Sequence, residues 1–263
     1  MSYKYKLTIE YEGTRFSGWQ VQKNARSIQG ELIHAASKSF SGKMELQGAG
    51  RTDAGVHALE QVAHLEMEKN LAVQNILYGL NDHLPHDINV LSVEKAPPRF
   101  HARHHAKARS YLYLISRKRT AFGKRFVWWI KDELDFEAMK RAATIFVGFH
   151  DYASFADKRM EKDASTEVEL QACELLEAES MIYVRVVGSH FLWKMVRRMV
   201  GVLAEVGRKQ LTAHDLAGFL HAYSDGPSKF TAPPSGLFLE KILYEGDRLS
   251  PLKPLSFPLL RSS

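Results

Sequence analysis

The stretch Lys4-Tyr5-Lys6-Leu7-Thr8-Ile9-Glu10-Tyr11 alternates between polar and apolar side chains. Because successive side chains of a strand point to opposite faces, this period of two predicts a β-strand with Tyr5, Leu7 and Ile9 on one face. The following Glu12-Gly13-Thr14 predicts a turn that ends the strand. The chain therefore begins its fold with one strand of a sheet.

Helical and strand periods alternate through the residues that follow. Ser27 is a suitable N-cap for a helix with Ile28 and Leu32 at helical spacing, which we expect to end near Gly42. Further patterns predict a strand at 62–67, a helix at 72–81 and a strand at 88–96. The second half repeats this order with strands at 110–116, 181–187 and 237–244 and helices at 135–147, 191–206 and 213–223.

This repeated order predicts an α+β chain of two halves, 1–106 and 107–263, whose sheets join. The tail 250–263 holds three prolines and no clear period, so we expect it to be extended.

The composition excludes several classes of protein. No apolar run approaches the roughly 18 residues of a membrane span, and the N-terminal residues show no pattern of a signal peptide. Cys173 is the single cysteine, which excludes an intramolecular disulfide and a cysteine-rich metal site. These features favour a cytoplasmic protein.

Positive charge is concentrated in one segment, 99–125, which contains no acidic residue. The whole chain has 36 Lys and Arg against 30 Asp and Glu, a net charge of +6. Basic side chains interleaved with aromatic ones suit phosphate contact and base stacking, although a solvated basic face with buried aromatics fits equally. The basic residues of the segment are Arg99, Arg103, Lys107, Arg109, Arg117, Lys118, Arg119, Lys124 and Arg125. His101, His104 and His105 could bind a metal, but no acidic residue lies near them in the sequence. Contact with RNA is therefore the better interpretation, and we predict no metal.

The loop Gly48-Ala49-Gly50-Arg51-Thr52-Asp53-Ala54-Gly55-Val56-His57 lies between predicted strands and holds three glycines. A carboxylate on a loop supported by a sheet is well placed for catalysis. A tight turn in which Asp53 bonds its own backbone is the structural alternative. A dinucleotide loop fits poorly because Asp53 stands where the third glycine belongs, and no G-x-S-x-G hydrolase motif is present.

Arg197 interrupts the apolar stripe of the predicted helix 191–206, which indicates either an arginine at the helix edge or a partly buried one that needs a carboxylate.

Several segments together resemble the TruA family of tRNA pseudouridine synthases, in the family's order along the chain. They are Tyr11-Glu12-Gly13-Thr14-Arg15-Phe16-Ser17-Gly18-Trp19-Gln20, the loop 48–58, Phe100-His101-Ala102-Arg103, Arg109-Ser110-Tyr111-Leu112-Tyr113, Met195-Val196-Arg197 and Pro233-Pro234-Ser235-Gly236-Leu237.

The resemblance implies a role for each matching residue. Asp53 matches the essential aspartate, and Arg197 matches the arginine that pairs with it. Tyr111 matches the tyrosine that stacks on the base, Arg51 the arginine that holds the flipped uridine's place, and Leu237 the apolar residue under the uracil. In the basic segment we expect Arg103, Lys107 and Arg109 to contact RNA.

The resemblance further implies two ferredoxin-like halves related by a pseudo-twofold axis and merging into one mostly antiparallel sheet, a homodimer, no cofactor, and uridines 38, 39 and 40 of the tRNA anticodon stem-loop as targets. Trp193-Lys194, Arg198 and the segment 157–168 depart from the family's pattern, which bears on the choice of uridine. The same chemistry on other uridines and a non-catalytic RNA-binding protein are the two alternatives.

Overall fold

A computed structural model describes residues 2–159 and 165–255, and they form an α+β structure. The strands are β1 (Tyr3–Tyr11), β2 (Met44–Gly48), β3 (His57–Met67), β4 (Ile88–Ala96), β5 (Ala108–Ser116), β6 (Trp128–Trp129), β7 (Gly148–Asp151), β8 (Glu167–Ala178), β9 (Met181–Gly188) and β10 (Leu237–Leu243). The helices are α1 (Ile28–Ser39), α2 (Val73–Asn81), α3 (Phe136–Ala143), α4 (Met195–Gly207), α5 (Ala213–His221) and α6 (Gly226–Lys229). The predicted α+β class with mostly antiparallel strands is confirmed.

The chain divides into two compact units. The first contains residues 1–107 and the returning segment 238–247, and the second contains 108–237 and the residues from 248 onward. The segment 238–247 therefore belongs to the first unit although it lies near the end of the chain. None of the helices within the described ranges has the length and apolar character needed to cross a bilayer.

In the first unit the strand order is β4-β1-β3-β10, and β2 also pairs with β3. All these pairings are antiparallel except that of β10 with β3, where Phe238 lies opposite His57. Tyr5, Leu7 and Ile9 of β1 are fully buried, as the alternating pattern predicts. The helix after Ser27 is also confirmed, since the Ser27 hydroxyl accepts a hydrogen bond from the Gly30 amide.

In the second unit β5, β9, β8 and β7 form an antiparallel sheet in that order, and the short β6 runs parallel to the end of β5. Asp135 caps α3 by accepting from the Ala138 amide. The predicted helix 135–147 ends sooner, at Ala143, and continues as a 3-10 turn over Thr144–Phe146.

The prediction of a helix from Phe191 is wrong at its start, because α4 begins at Met195. Lys194 has φ 63°, a left-handed conformation that an α-helix cannot continue through. The apolar residues Phe191 and Leu192 extend the helical pattern in the sequence, but they precede the helix and lie on the connection from β9. Residues 251–255 of the tail have no regular secondary structure, and the remainder of the tail lies outside the described residues. Its extended conformation stays a prediction.

Candidate active site

The glycine-rich loop joins β2 to β3 and holds Asp53 in a half-buried position. Its first part follows the sheet, since the Ala49 amide donates to the Val62 carbonyl at 2.7 Å. Its last part is a tight turn, in which the Val56 amide donates to the Asp53 carbonyl at 3.1 Å. Gly55 supplies the positive φ of 78° within this turn. The backbone on both sides of the carboxylate is therefore fixed.

The segment Tyr11–Trp19 supports the loop from outside it. The Tyr11 hydroxyl and the Thr52 hydroxyl form a buried hydrogen bond of 2.8 Å. The Trp19 amide donates to the Thr52 carbonyl at 3.0 Å, and the Gly55 amide donates to the Phe16 carbonyl at 3.4 Å. The two motifs that stand apart in the sequence thus form one local structure around Asp53.

Close approach of the two segments explains two of their glycines. An added Cβ at Gly18 would lie 2.5 Å from the Thr52 carbonyl oxygen and 3.2 Å from the Asp53 carbonyl carbon, and Gly18 itself has φ 96°. An added Cβ at Gly48 would lie 2.5 Å from the ring of Trp19, which is only 1% exposed. At both positions a larger residue would push the loop away from its support.

Two buried polar residues of β3 also hold the loop, and the sequence analysis did not identify either of them in this role. His57 accepts a hydrogen bond at Nδ1 from the Gly13 amide at 3.0 Å, and its ring stacks on Phe238 at 4.8 Å. Gln61 donates from Nε2 to the Gly50 carbonyl at 3.0 Å. His57 therefore ties the end of the loop to the segment Tyr11–Trp19.

Arg51 lies in the same loop and is exposed, two residues from Asp53. Its side chain is therefore accessible from solvent. The other three residues predicted for the active site belong to the second unit: Tyr111, Arg197 and Leu237. The pairing of Asp53 with Arg197 stays a prediction.

Tyr111 lies on β5 and is 9% exposed. The Phe191 ring meets it edge to face, with centroids 5.0 Å apart and an angle of 80°. The connection between β9 and α4, rather than a helix, supplies this contact. Tyr113 lies two residues further along the same strand, so the two rings point to the same face.

Arg197 lies in the first turn of α4 and is half-buried. Its Nε donates to the Ala232 carbonyl at 2.7 Å, and the Ala232 amide donates back to the Arg197 carbonyl at 3.0 Å. Tyr113 donates to the next carbonyl, that of Pro233, at 2.8 Å. Burial raises the pKa of Tyr113 well above its usual range, and the positive charge of Arg197 opposes that rise. These bonds fix the guanidinium against the loop that leads to Leu237.

Leu237 is 5% exposed and follows the 3-10 turn Pro234–Gly236. Gly236 packs directly on Tyr113, where an added Cβ would lie 2.6 Å from the ring. Within the second unit, β5, α4 and this loop thus bring Tyr113, Arg197 and the start of β10 into one arrangement.

The three residues expected to bind RNA have different surroundings. Arg103 is exposed, and its backbone amide donates to Nδ1 of His101 at 3.2 Å. Lys107 is exposed and forms an ion pair of 3.2 Å with Glu245. Arg109 is half-buried and donates from Nη1 to the Ser189 carbonyl at 2.7 Å. Arg103 and Lys107 are therefore accessible, whereas Arg109 also anchors the connection after β9.

His64 of β3 and two histidines near Arg103, His101 and His105, accept hydrogen bonds from backbone amides of residues 101–104. Nδ1 of His64 accepts from the Ala102 amide at 3.2 Å, and the rings of His64 and His101 lie 4.7 Å apart. Burial lowers the pKa of His64 to about 4, and repulsion from His101 contributes to the shift. Across residues 2–159 and 165–255, no three His, Cys, Asp or Glu residues form a group that could hold a metal ion.

Comparisons with known proteins place this chain among RNA-modifying isomerases. The model of the family described as tRNA pseudouridine synthase matches residues 7–105 and 142–245, and the chain belongs to that family. It is therefore an enzyme that isomerises uridine in tRNA to pseudouridine.

Two similar relatives are called tRNA pseudouridine synthase A or A 2. The Nitrobacter winogradskyi protein is 41% identical over 246 residues, covering 92% of this chain and 96% of that protein. The Bacillus cereus protein is 38% identical over 241 residues, covering 90% and 98%. A solved structure titled "Structure of H/ACA RNP bound to a substrate RNA containing 2'-deoxyuridine" aligns with a TM-score of 0.39 at 11% identity, covering 77% of this chain and 44% of that one.

Proposed function

We propose that this enzyme isomerises uridines 38, 39 and 40 of the tRNA anticodon stem-loop, with Asp53 as its catalytic residue. The observation that carries the proposal is the support of the Asp53 loop by Tyr11–Trp19. The Tyr11–Thr52 and Trp19–Thr52 hydrogen bonds are the local structure that a fixed catalytic carboxylate needs. Sequence similarity to proteins called tRNA pseudouridine synthase A, at 37–41% identity over nearly their whole length, supports the choice of substrate.

The reaction breaks the N1–C1′ bond of uridine, turns the uracil, and joins C5 to C1′. The proton that leaves C5 is balanced by the one that N1 gains, so product and substrate have the same atoms. The carboxylate of Asp53 acts at the sugar, either as a nucleophile at C1′ or as the base that leads to a glycal. Neither route consumes a cofactor, a metal ion or a second substrate.

The target uridine must leave the helical stack, because stacking and pairing hide both C1′ and C5. Unstacking costs a few kcal/mol, and stacking of the flipped base on an aromatic ring offsets that cost. We assign this stacking to Tyr111, with Leu237 under the uracil and Arg51 holding the vacated place in the RNA. Arg197 keeps the carboxylate of Asp53 ionised, because a guanidinium next to a carboxylate favours its charged form.

Contacts to the phosphate backbone complete the proposed complex. Arg103, Lys107 and Arg109 of the basic segment are the residues that we assign to them. We also propose that the enzyme is a homodimer and acts in the cytoplasm. The single free cysteine, Cys173, is buried and suits a reducing compartment.

Release of tritium from tRNA labelled at uridine C5 tests the proposal. The purified enzyme, without metal or nucleotide, should release tritium, and Asp53→Ala should bind tRNA but release none. Asp82→Ala is the matched control, because Asp82 is an exposed aspartate at the end of α2. Full activity of Asp53→Ala, or a wild-type enzyme that binds tRNA without releasing tritium, would refute the catalytic role.

Carbodiimide mapping of the modified tRNA tests the positions separately. We expect pseudouridine at 38, 39 or 40. Modification confined to other uridines would retain the chemistry and replace the proposed target.

A further inference from the structure

An exposed stack of Trp193 and Arg159 lies immediately before α4. The guanidinium carbon of Arg159 is 4.2 Å from the centroid of the Trp193 ring, which is the distance of direct cation–π contact. Lys194, the next residue, has its Nζ 5.6 Å from the same ring. An aromatic plane is thus combined with two positive charges in a small area of the second unit.

Asp157 fixes both cations. Its carboxylate accepts from Nε and Nη2 of Arg159 at 2.9 and 3.1 Å, and from Nζ of Lys194 at 2.8 Å. Its amide donates to the Trp193 carbonyl at 3.0 Å, which ties the two chain segments together. Hydrogen bonds from Arg159 hold the pKa of the Asp157 carboxyl well below its usual range, so the carboxylate stays charged. Two cations and one carboxylate leave a net positive charge here.

The stack remains accessible to solvent. Trp193 is 37% exposed and the side chain of Arg159 is 64% exposed, whereas Trp19 at the base of the Asp53 loop is 1% exposed. The Trp193 ring is held at the surface by a network of ion pairs, and it therefore contributes little to the hydrophobic core. Planar aromatic and guanidinium groups that remain accessible are the surfaces on which RNA bases stack.

The position of the stack along the chain connects it to the proposed active site. Trp193 lies on the connection from β9 to α4, two residues after Phe191, whose ring contacts Tyr111. On its other side, the first turn of α4 carries Arg197. A single short segment therefore contributes the neighbour of the tyrosine, the exposed indole and the arginine.

We propose that Trp193, stacked on Arg159, is a platform for a nucleobase of the substrate RNA next to the target uridine. The inference rests on the proposed function, because it takes tRNA as the ligand and Tyr111 as the residue that stacks on the uracil. Flipping one nucleotide leaves its neighbours without a stacking partner, and an indole that is already held in place replaces that partner. Lys194 and Arg159 place positive charge where the phosphates that flank this base pass. Asp157 is a positioning residue, since it acts through the two cations.

Tryptophan fluorescence tests the contact directly, because a stacked base quenches the indole. Binding of an anticodon stem-loop RNA should quench the tryptophan fluorescence of the wild-type protein, and the Trp193→Phe substitution should remove most of that quenching. Trp129→Phe is the matched control: Trp129 is 41% exposed, has Arg119 5.6 Å from its ring, and pairs with Ser116, the last residue of β5. Quenching that persists in Trp193→Phe and disappears in Trp129→Phe would overturn the proposal.

Binding and kinetics test the contribution to recognition. Stacking of one base corresponds to roughly 5- to 150-fold in affinity, so Trp193→Ala should weaken RNA binding and raise KM by such a factor. Trp129→Ala should change neither. A Trp193→Ala protein that unfolds at the wild-type temperature and binds RNA with wild-type affinity would overturn the proposal. Should Trp193→Ala not fold, Arg159→Ala, which removes only an exposed partner of the stack, should weaken binding in the same direction.

Altered RNA distinguishes base stacking from a general charge effect. Each nucleotide that flanks the modified uridine is replaced in turn by an abasic one. One of the two replacements should weaken wild-type binding and have no further effect on Trp193→Ala. Equal effects on both proteins would overturn the platform. Tritium release by the wild-type enzyme is measured in parallel, so that failure of the platform is distinguishable from failure of the proposed function.

Discussion

Replacement of Gly18 by alanine should reduce catalysis through a movement of the Asp53 loop. An added Cβ would lie 2.5 Å from the Thr52 carbonyl oxygen, 3.2 Å from the Asp53 carbonyl carbon and 3.3 Å from the Ala54 amide nitrogen. Real Cβ atoms essentially never approach another heavy atom within 3.0 Å, so the loop backbone must move by at least about 0.5 Å. Displacement of a catalytic group by about 1 Å can cost on the order of 100-fold in rate, and we therefore expect a loss of roughly 10- to 100-fold in kcat.

The same substitution also costs stability. Gly18 has φ 96°, and a residue with a Cβ is strained there by about 1–2 kcal/mol. Overlap with the loop adds roughly 1–3 kcal/mol. Urea unfolding should therefore show a decrease of about 2–5 kcal/mol in the free energy of unfolding, while single-turnover tritium release on the folded protein measures the effect on catalysis.

Two other glycines separate the contributions of strain and contact. Gly246 has φ 84° with nothing within 4 Å of an added Cβ, so Gly246→Ala should lose stability by about 1–2 kcal/mol and keep its activity. Gly50 lies in the Asp53 loop without positive φ and without a neighbour within 4 Å, so Gly50→Ala should be nearly neutral. The reasoning is refuted if Gly18→Ala, once folded, releases tritium as fast as Gly246→Ala.

Three further predictions concern other parts of the chain. Gly218→Ala should stabilise the protein by up to about 1 kcal/mol in urea unfolding, because Gly218 is inside α5 with nothing within 4 Å of an added Cβ; a loss of stability would contradict this. The pKa of His64 falls from 6.5 to about 4 on folding, because burial disfavours the charged imidazolium. The free energy of unfolding is therefore highest above pH 6.5 and decreases as the pH falls toward 4, by at most about 3 kcal/mol from this residue. His64→Asn should flatten the pH dependence of unfolding in that range, and an unchanged slope would exclude His64 as its source. Burial raises the pKa of the Cys173 thiol to about 12, so a thiol reagent should label Cys173 only in unfolded protein, and rapid labelling of the native enzyme would contradict its burial.

Local patterns predicted those elements that carry a clear period of their own, whereas β2, β6 and β7 were not predicted. The alternation in Lys4–Tyr11 corresponds to β1, and the Ser27 hydroxyl caps α1 as expected. The start of α4 could not be obtained in this way. Phe191 and Leu192 continue the apolar spacing of the helix, and only the left-handed backbone of Lys194, which no local period reveals, ends it on that side.

Only part of the candidate site could be predicted from the sequence, because local patterns do not reveal contacts between distant segments. The loop 48–57 is visible in the sequence because glycine clusters mark unusual backbone, and Asp53 is its central carboxylate. The dependence of that loop on Trp19, His57 and Gln61 arises from contacts between segments distant in sequence. A histidine or glutamine in a strand gives no local signal that it holds a neighbouring turn. The Asp157 ion pairs were invisible in the same way, although the departure of Trp193-Lys194 from the family pattern pointed to this region.

The return of residues 238–247 to the first unit has a consequence for how the chain folds during synthesis. β3 cannot acquire its parallel neighbour, and His57 cannot stack on Phe238, until the whole intervening unit has been translated. At roughly 5–20 residues per second, the approximately 130 residues from 108 to 237 take about 6–26 s. During that interval β2 already covers Ala63–Met67 of β3, and only the start of the strand, at His57 and Ala58, lacks the neighbour that β10 later provides. The strand end that follows the Asp53 loop is therefore the last part of the first unit to be completed.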